Sequence, residues 1–384
     1  MRLLHTSDWH LGRIFHGVHL TEDQSHIIDD FIACIKDSNP NVIIIAGDIY
    51  DRAVPPTEAM ELLDHTLSQI ALDFGIPVII IAGNHDSPER LGFGNKFLAR
   101  QGLHVVGSIT GPPEPIIIED KYGPVYFLPL PYTEPALIRE RFEDPEVYDH
   151  ELAIKTMIQH GLKKIPEKAR KVSIAHAFIA GGAITESERP LSVGGSSVVS
   201  PSLFTPFNYT ALGHLHNSQK AGDEHIRYPG SLLKYSFAEA NQRKGINLVE
   251  LNDLGEVSIE AIPLTPRRDV RIIEGYFKDI LHNHESYGNR NDYLQIILQD
   301  EGPILDPMGQ LRSIFPNILN ISRPHFTAPT LYKGPAPDHR KLTETQLFSS
   351  FFEQMTGQAL TEEQEAEFNK TMEEILRETR EVSL

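Results

Sequence analysis

Cysteine is almost missing from this chain: Cys34 is the single one in 384 residues. That excludes an internal disulfide and fits a reducing compartment. Long apolar runs are missing too. None approaches the roughly 20 residues that cross a bilayer, and the start, MRLLHTSDWH, lacks the apolar core of a secretory leader. A cytoplasmic protein is expected. Positive charge is in short supply, with 35 basic against 53 acidic residues and a net charge of −18. Such a surface repels nucleic acid overall, so any DNA contact has to be local or helped by cations or a partner. The phosphate-binding pattern GxxxxGK[ST] does not occur, so ATP use would have to come from another chain. Glycine and proline, 27 each, show no excess. What remains is ordinary globular composition, 40% hydrophobic and 23% charged, on a chain long enough for one large domain and a smaller one.

Over the first two-thirds, short β-rich runs alternate with helical stretches. RLLHTS, NVIIIAG, PVIIIAG, KVSIAHA and NYTALGH read as strands. EDQSHIIDDFIACIKDS and TEAMELLDHTLSQIALDF carry apolar residues at helical spacing, the second preceded by Pro55-Pro56. Continuous apolar strands ending in glycine imply a sheet covered on both faces, hence α/β architecture. The later runs VYFLPLPY, HIRYPGSLLKYSF, KGINLVELN and GEVSIEAIPL have few helices between them. They predict a second, more antiparallel sheet stacked on the first.

After LTPRRD the texture changes to a compact β-α-β-α-β module, followed by a Pro- and Gly-rich linker, PHFTAPTLYKGPAPDHRK. The tail holds two helices, each opened by a capping-box pattern, Thr343 with Gln346 and Thr361 with Gln364. Their apolar stripes, Leu347, Phe348, Phe351, Phe352 and Met355 on one and Phe368, Met372, Ile375 and Leu376 on the other, suit a hairpin packed on its own domain or a docking element for a partner. The expected division is 1–265, 266–325, a linker 326–342, and a helical segment 343–384.

Chemistry gathers at strand ends, where open α/β sheets bind ligands. Five such ends carry metal-type side chains: Asp8 and His10 in SDWH, Asp48 and Asp51 in GDIYD, Asn84, His85 and Asp86 in GNHD, His176 in AHA, and His214 and His216 in GHLH. Any one alone reads as a turn, a surface group or a satisfied core histidine. Five in order, each ending a strand-like run, do not. The near-repeats NVIIIAGDIYD and PVIIIAGNHDS then become neighbouring supports, each glycine letting the chain turn to aim Asp48 and Asn84 into one crevice.

The ordered set DWH, GDIYD, GNHD, a single His and GHLH resembles the calcineurin-like metallophosphoesterases, whose fold is two stacked mixed β-sheets flanked by helices. The flanking words HTSDWHLGR, GDIYDR, AGNHDS, ALGHLH and RYPGSLLKYSF narrow the resemblance to the SbcD-type nuclease subunits of bacterial SbcCD complexes, relatives of the Mre-type nucleases. It implies two divalent cations, manganese favoured, one held by Asp8, His10, Asp48 and His216 and the other by Asp48, Asn84, His176 and His214. Two bare dications about 3.5 Å apart repel by on the order of 20 kcal/mol at an effective dielectric of 20. Two aspartates and a bridging hydroxide offset most of that charge, while His and Asn add ligands and leave the site positive enough to attract a phosphodiester.

The resemblance further implies in-line attack by metal-bound hydroxide, with His85 as acid for the leaving oxygen and Asp51 orienting it. It implies 3′-to-5′ exonuclease action on duplex ends and endonuclease action on hairpins and single strands, in DNA repair, recombination and replication on the nucleoid. The partners would be a second copy of the chain and the SMC-like ATPase SbcC, in a heterotetramer. The 266–325 module would cap the DNA groove and the tail would bind the ATPase. Phosphoprotein phosphatases usually carry GDxxDRG, whereas GDIYDRA has Ala53 at the last position. Two other readings stay open at this point. One is a stand-alone phosphodiesterase or phosphatase on a small molecule, which leaves the module and tail without a task. The other is a scaffold that has lost its chemistry, against which the unbroken ligand set speaks.

Overall fold

The computed structural model describes residues 1–185, 187–188, 197–324, 343–356 and 358–381. The chain divides into two compact units, Met1–Val270 and Arg271–Leu384.

Two six-stranded sheets build the first unit. One runs in the order Val257–Pro263, Gly245–Leu251, Arg2–Thr6, Val42–Ile45, Val78–Ile81, Leu103–Val106. Its last four strands are parallel, and the first two are added antiparallel at one edge. The other runs Gln219–Ala221, Asp223–Tyr228, Tyr209–Gly213, Arg170–His176, Gly123–Leu130, Ile116–Asp120. Its four central strands are parallel and both edges are antiparallel hairpins.

The strand period of two explains how the sheets stack. Leu3, Val42, Ile44, Ile79 and Ile81 point inward from the first sheet and meet Val125, Phe127, Val172, Ile174, Tyr209 and Ala211 of the second in one buried cluster. The alternate residues Leu4, Ile43, Ile45 and Ile80 are also fully buried, so these strands lack any polar face. The helix Thr21–Ser38 turns Ile27, Ile28, Phe31, Ile32 and Ile35 into the core. Beyond the second sheet, Leu128, Leu130 and Leu212 pack with Ile138 and with Ile154, Met157 and Ile158 of the helix His150–Leu162. The layers are therefore helix, sheet, sheet, helix, as the sequence predicts.

One expectation changes. The four later runs do not form a separate antiparallel sheet. Gly123–Leu130 and Asp223–Tyr228 join the parallel centre of the second sheet, while Gly245–Leu251 and Val257–Pro263 extend the first. The helices Pro135–Phe142 and His150–Leu162 make the crossover that permits parallel pairing of Gly123–Leu130 with Arg170–His176.

In the second unit, strands Val270–Gly275, Tyr293–Leu298 and Ile318–Ser322 form one sheet, with short helices Phe277–His282 and Pro307–Arg312 between them in sequence. Ile273, Phe277, Ile280, Leu294, Ile296, Leu311 and Phe315 make its core. The tail helices Glu344–Thr356 and Glu362–Glu381 begin with reciprocal caps: the Thr343 amide donates to Gln346 Oε1 at 3.0 Å, and the Gln346 amide to Thr343 Oγ1 at 3.3 Å. Thr361 and Gln364 repeat the arrangement. Phe348 stacks on Phe368 with ring centres 3.9 Å apart. The expected linker, 326–342, lies outside the described residues. Among those described, no helix is long and apolar enough to cross a membrane.

Candidate metal centre

All five strands that precede the histidine and aspartate clusters end on the same side of the first unit. Arg2–Thr6, Val42–Ile45 and Val78–Ile81 are successive neighbours in one sheet, and Arg170–His176 pairs with Tyr209–Gly213 in the other. The loops leave their strands abruptly. Asp8, His10, Asp48 and His214 hold left-handed backbone angles, φ 54°, 46°, 51° and 110°. Side chains with a Cβ avoid this region, and such strain collects at functional sites. Main-chain bonds lace the first two loops together, with Asp8 N donating to Gly47 O and His10 N to Asp48 O, both at 3.0 Å.

The two Ala-Gly strand ends use glycine for different reasons. Gly47 has φ 94°, and a Cβ there would stand 2.3 Å from His176 Nδ1. Gly83 is needed for space alone: a Cβ would stand 2.1 Å from Asp48 Oδ1. Either methyl group would push into the side chains that the loops are shaped to present.

The carboxylate of Asp48 is the centre of the cluster. Its Oδ2 lies 3.5 Å from His176 Nε2, 3.7 Å from His10 Nε2 and 4.0 Å from His85 Nε2. Its Oδ1 accepts the His85 amide at 2.9 Å. Asp8, His10 and His216 bring ligand atoms within 4.8 Å of one another, and so do Asp8, Asp48 and His176. Asn84 Oδ1 is 2.9 Å from His176 Nε2. His214 stands at the margin. Its amide donates to both oxygens of Asp8, at 3.0 and 3.1 Å, and its ring centre is 5.5 Å from that of His176.

This donor set fits divalent cations. His10 Nε2 and His216 Nε2 face each other at 3.1 Å. Two ring nitrogens so close need a proton or a cation between them. His176 Nδ1 donates to the Ala46 carbonyl at 2.9 Å, which leaves its Nε2 lone pair turned toward Asp48. Mixed nitrogen and oxygen donors suit Mn, Fe or Zn better than Ca.

Burial sets the charge state. It drives the Asp8 carboxyl well above its usual range, with the Asp48 charge adding to it. Burial also lowers His10, helped by His216 and His85, and lowers His176 and His214. Neutral imidazoles keep a lone pair free for a cation, and the Asp8 carboxyl is the group that would give up a proton to one.

The surrounding residues hold the loops. Asp86 looks like a ligand in the sequence, yet its carboxylate accepts main-chain amides of Ile49, Tyr50 and Gly83 at 3.2, 3.0 and 2.9 Å. It thereby ties the GDIYD loop to the GNHD loop. Gln24 ties the first loop to its helix, accepting the Gly12 amide at 3.0 Å and donating to the His10 carbonyl at 2.8 Å.

Asp51 meets His85 in another way than the sequence predicts. His85 Nδ1 lies 2.8 Å from the main-chain carbonyl of Asp51. The Asp51 carboxylate pairs with Arg13 Nη1 at 2.7 Å and lies 3.7 Å from His10 Nδ1. The guanidinium claims one charged oxygen, Oδ1, and the neutral carbonyl orients the histidine. Sequence reasoning missed Glu239 and Lys244, which are buried behind His216. Their signal is slight: a glutamate and a lysine just after RYPGSLLKYSF.

Comparison with known proteins gives a consistent picture. Residues 1–218 match the family model described as calcineurin-like phosphoesterase. Residues 266–356 match the one described as type 5 capsule protein repressor C-terminal domain. The chain is 34% identical over 378 residues to the SbcD subunit of the SbcCD nuclease of Staphylococcus saprophyticus, covering 98% of this chain and 99% of that relative.

Proposed function

This chain belongs to the calcineurin-like phosphoesterases, metal-dependent phosphodiester hydrolases, and from that premise we propose that it is the DNA nuclease subunit of an SbcCD-type complex. The observation that carries the chemistry is the convergence of three imidazole nitrogens within 4.0 Å of Asp48 Oδ2, with Asp8 and Asn84 beside them. The substrate class rests on the near full-length likeness to a named nuclease subunit.

In this reading Asp8, His10, Asp48 and His216 hold one cation, and Asp48, Asn84, His176 and His214 hold the other, with Asp48 shared. Bound there, two divalent ions, manganese by preference, supply Lewis acidity at the phosphoryl oxygens and a nucleophile at neutral pH. His85 is left for proton work. Its Nδ1 is engaged by the Asp51 carbonyl, and its Nε2 faces the cluster, where a protonated ring donates to the departing 3′ or 5′ oxygen. Asp51 acts on His85 through its main chain and on Arg13 through its carboxylate.

The net charge of −18 leaves DNA affinity to the cations, to local groups and to a partner. The proposed partners are a second copy of the chain and an SbcC-like ATPase, with residues 266–325 capping the DNA and 343–384 docking the ATPase, in the cytoplasm on the nucleoid. The test is incubation with blunt and hairpin-ended duplex, with and without Mn²⁺, ATP and the ATPase. Mn²⁺-dependent nicking of hairpins by the chain alone, and ATP-dependent resection with the partner, are expected. Turnover of a chromogenic diester with no cleavage of any DNA would overturn the nuclease reading.

A further inference from the structure

Behind His216 sits a charged pair that the ligand assignment leaves unused. Glu239, at the end of the short turn Phe237–Glu239, has no exposed surface, and the Lys244 side chain is only 5% exposed. Glu239 Oε1 lies 3.3 Å from His216 Nδ1. Its other oxygen is 2.5 Å from Lys244 Nζ. That ammonium also donates to the His216 carbonyl at 2.7 Å, to Ser231 Oγ at 2.9 Å and to Gln242 Oε1 at 2.7 Å.

We propose that Glu239, itself held by Lys244, is the positioning residue for His216, fixing its tautomer and ring orientation for cation binding. The inference rests on the reading of His216 as a ligand. A neutral ring that gives its Nδ1–H to a carboxylate must keep the lone pair on Nε2. That atom is the one facing His10 at 3.1 Å, in the group formed with Asp8. Lys244 grips the same residue from the main-chain side, so ring and backbone are fixed by one ion pair.

Energetics point the same way. A buried ion pair seldom contributes more stability than apolar residues of similar volume, so stability alone does not account for its place here. His176 is oriented by a neutral carbonyl, whereas His216 faces an anion that makes its Nε2 a stronger donor. That asymmetry assigns the tighter control to the cation held by Asp8, His10 and His216.

The test is Mn²⁺ titration by calorimetry, with nitrogen chemical shifts of the His216 ring in the metal-free protein. Glu239→Gln should weaken one of two Mn²⁺ ions about 10-fold, and Glu239→Leu with Lys244→Met about 100-fold. In both variants the His216 shifts should move from a single Nδ1–H tautomer toward a mixture, a change that mere loosening of the fold does not produce. Wild-type affinity for both ions in the folded variants would overturn the proposal. So would failure of both variants to fold, which would make the pair structural. A wild-type chain that takes up no Mn²⁺ would instead overturn the metal reading itself.

Discussion

Asp48 Oδ2 stands within 4.0 Å of three imidazole nitrogens, so removing its charge should be felt at both cation positions. Asp48→Asn is expected to weaken both Mn²⁺ ions together, and activity should collapse even at raised Mn²⁺. Full recovery in excess Mn²⁺ would end its role as the shared ligand. His85→Gln should act differently, because its Nδ1 serves the Asp51 carbonyl and its Nε2 is the furthest of the three from Asp48. Both ions should remain by mass spectrometry while turnover falls about 10² to 10⁴-fold. Loss of a metal would return His85 to the ligand set. These residues are legible in the sequence because each directly follows an apolar strand and a tight turn. Glu239 and Lys244 are not. A Glu and a Lys in FAEANQRKG look like any solvated face until the fold buries them together. The Asp51 carboxylate misleads for a related reason: the motif gives its position, but only the fold gives it Arg13.

At the scale of elements, hydrophobic pattern located the strands but not their partners. KGINLVELN and VYFLPLPY look alike in sequence, yet one pairs antiparallel within the first sheet and the other enters the parallel centre of the second. What separates them is whether a helical crossover intervenes, and the helices around residues 135–162 are too weakly patterned to announce it. The edge hairpin of the second sheet also carries a testable contact. Asp120 ends the strand Ile116–Asp120, and both of its oxygens take Arg170, at 2.6 and 3.0 Å. The guanidinium holds the Asp120 carboxyl below the usual range. A depressed carboxyl stabilises the fold above its unfolded pKa, about 3.9, and that stability is lost as pH falls through the folded value. Asp120→Asn should therefore lower the melting temperature by several degrees at pH 7, with the gap to wild type closing below about pH 4. A gap that stayed constant from pH 7 to pH 3 would detach the stabilisation from the carboxylate charge.

For the whole molecule, the proposed docking role of the tail is the feature to test. Phe351 is 57% exposed on the helix Glu344–Thr356, and Leu347 beside it is 36% exposed, although Phe348 is covered by Phe368. The second helix, Glu362–Glu381, opens with Glu362, Glu363 and Glu365, a poor surface for DNA. An amphipathic pair with Phe351 wet and an acidic first turn on its second helix suits helix-in-groove contact with a partner protein. Each helix carries its own reciprocal cap, and the Phe348–Phe368 stack with the Thr345 Oγ1 to Asn369 Oδ1 bond joins the two helices. Ending the chain after Lys341 is therefore expected to leave a folded, dimeric, Mn²⁺-dependent nuclease on single-stranded DNA. The same cut should abolish co-purification with the ATPase and, with it, ATP-stimulated processing of duplex ends. Size-exclusion chromatography with the partner reads the first outcome, and a resection assay the second. Full-strength ATPase binding by the shortened chain would show that docking lies elsewhere, and unfolding would show that the tail belongs to the catalytic fold.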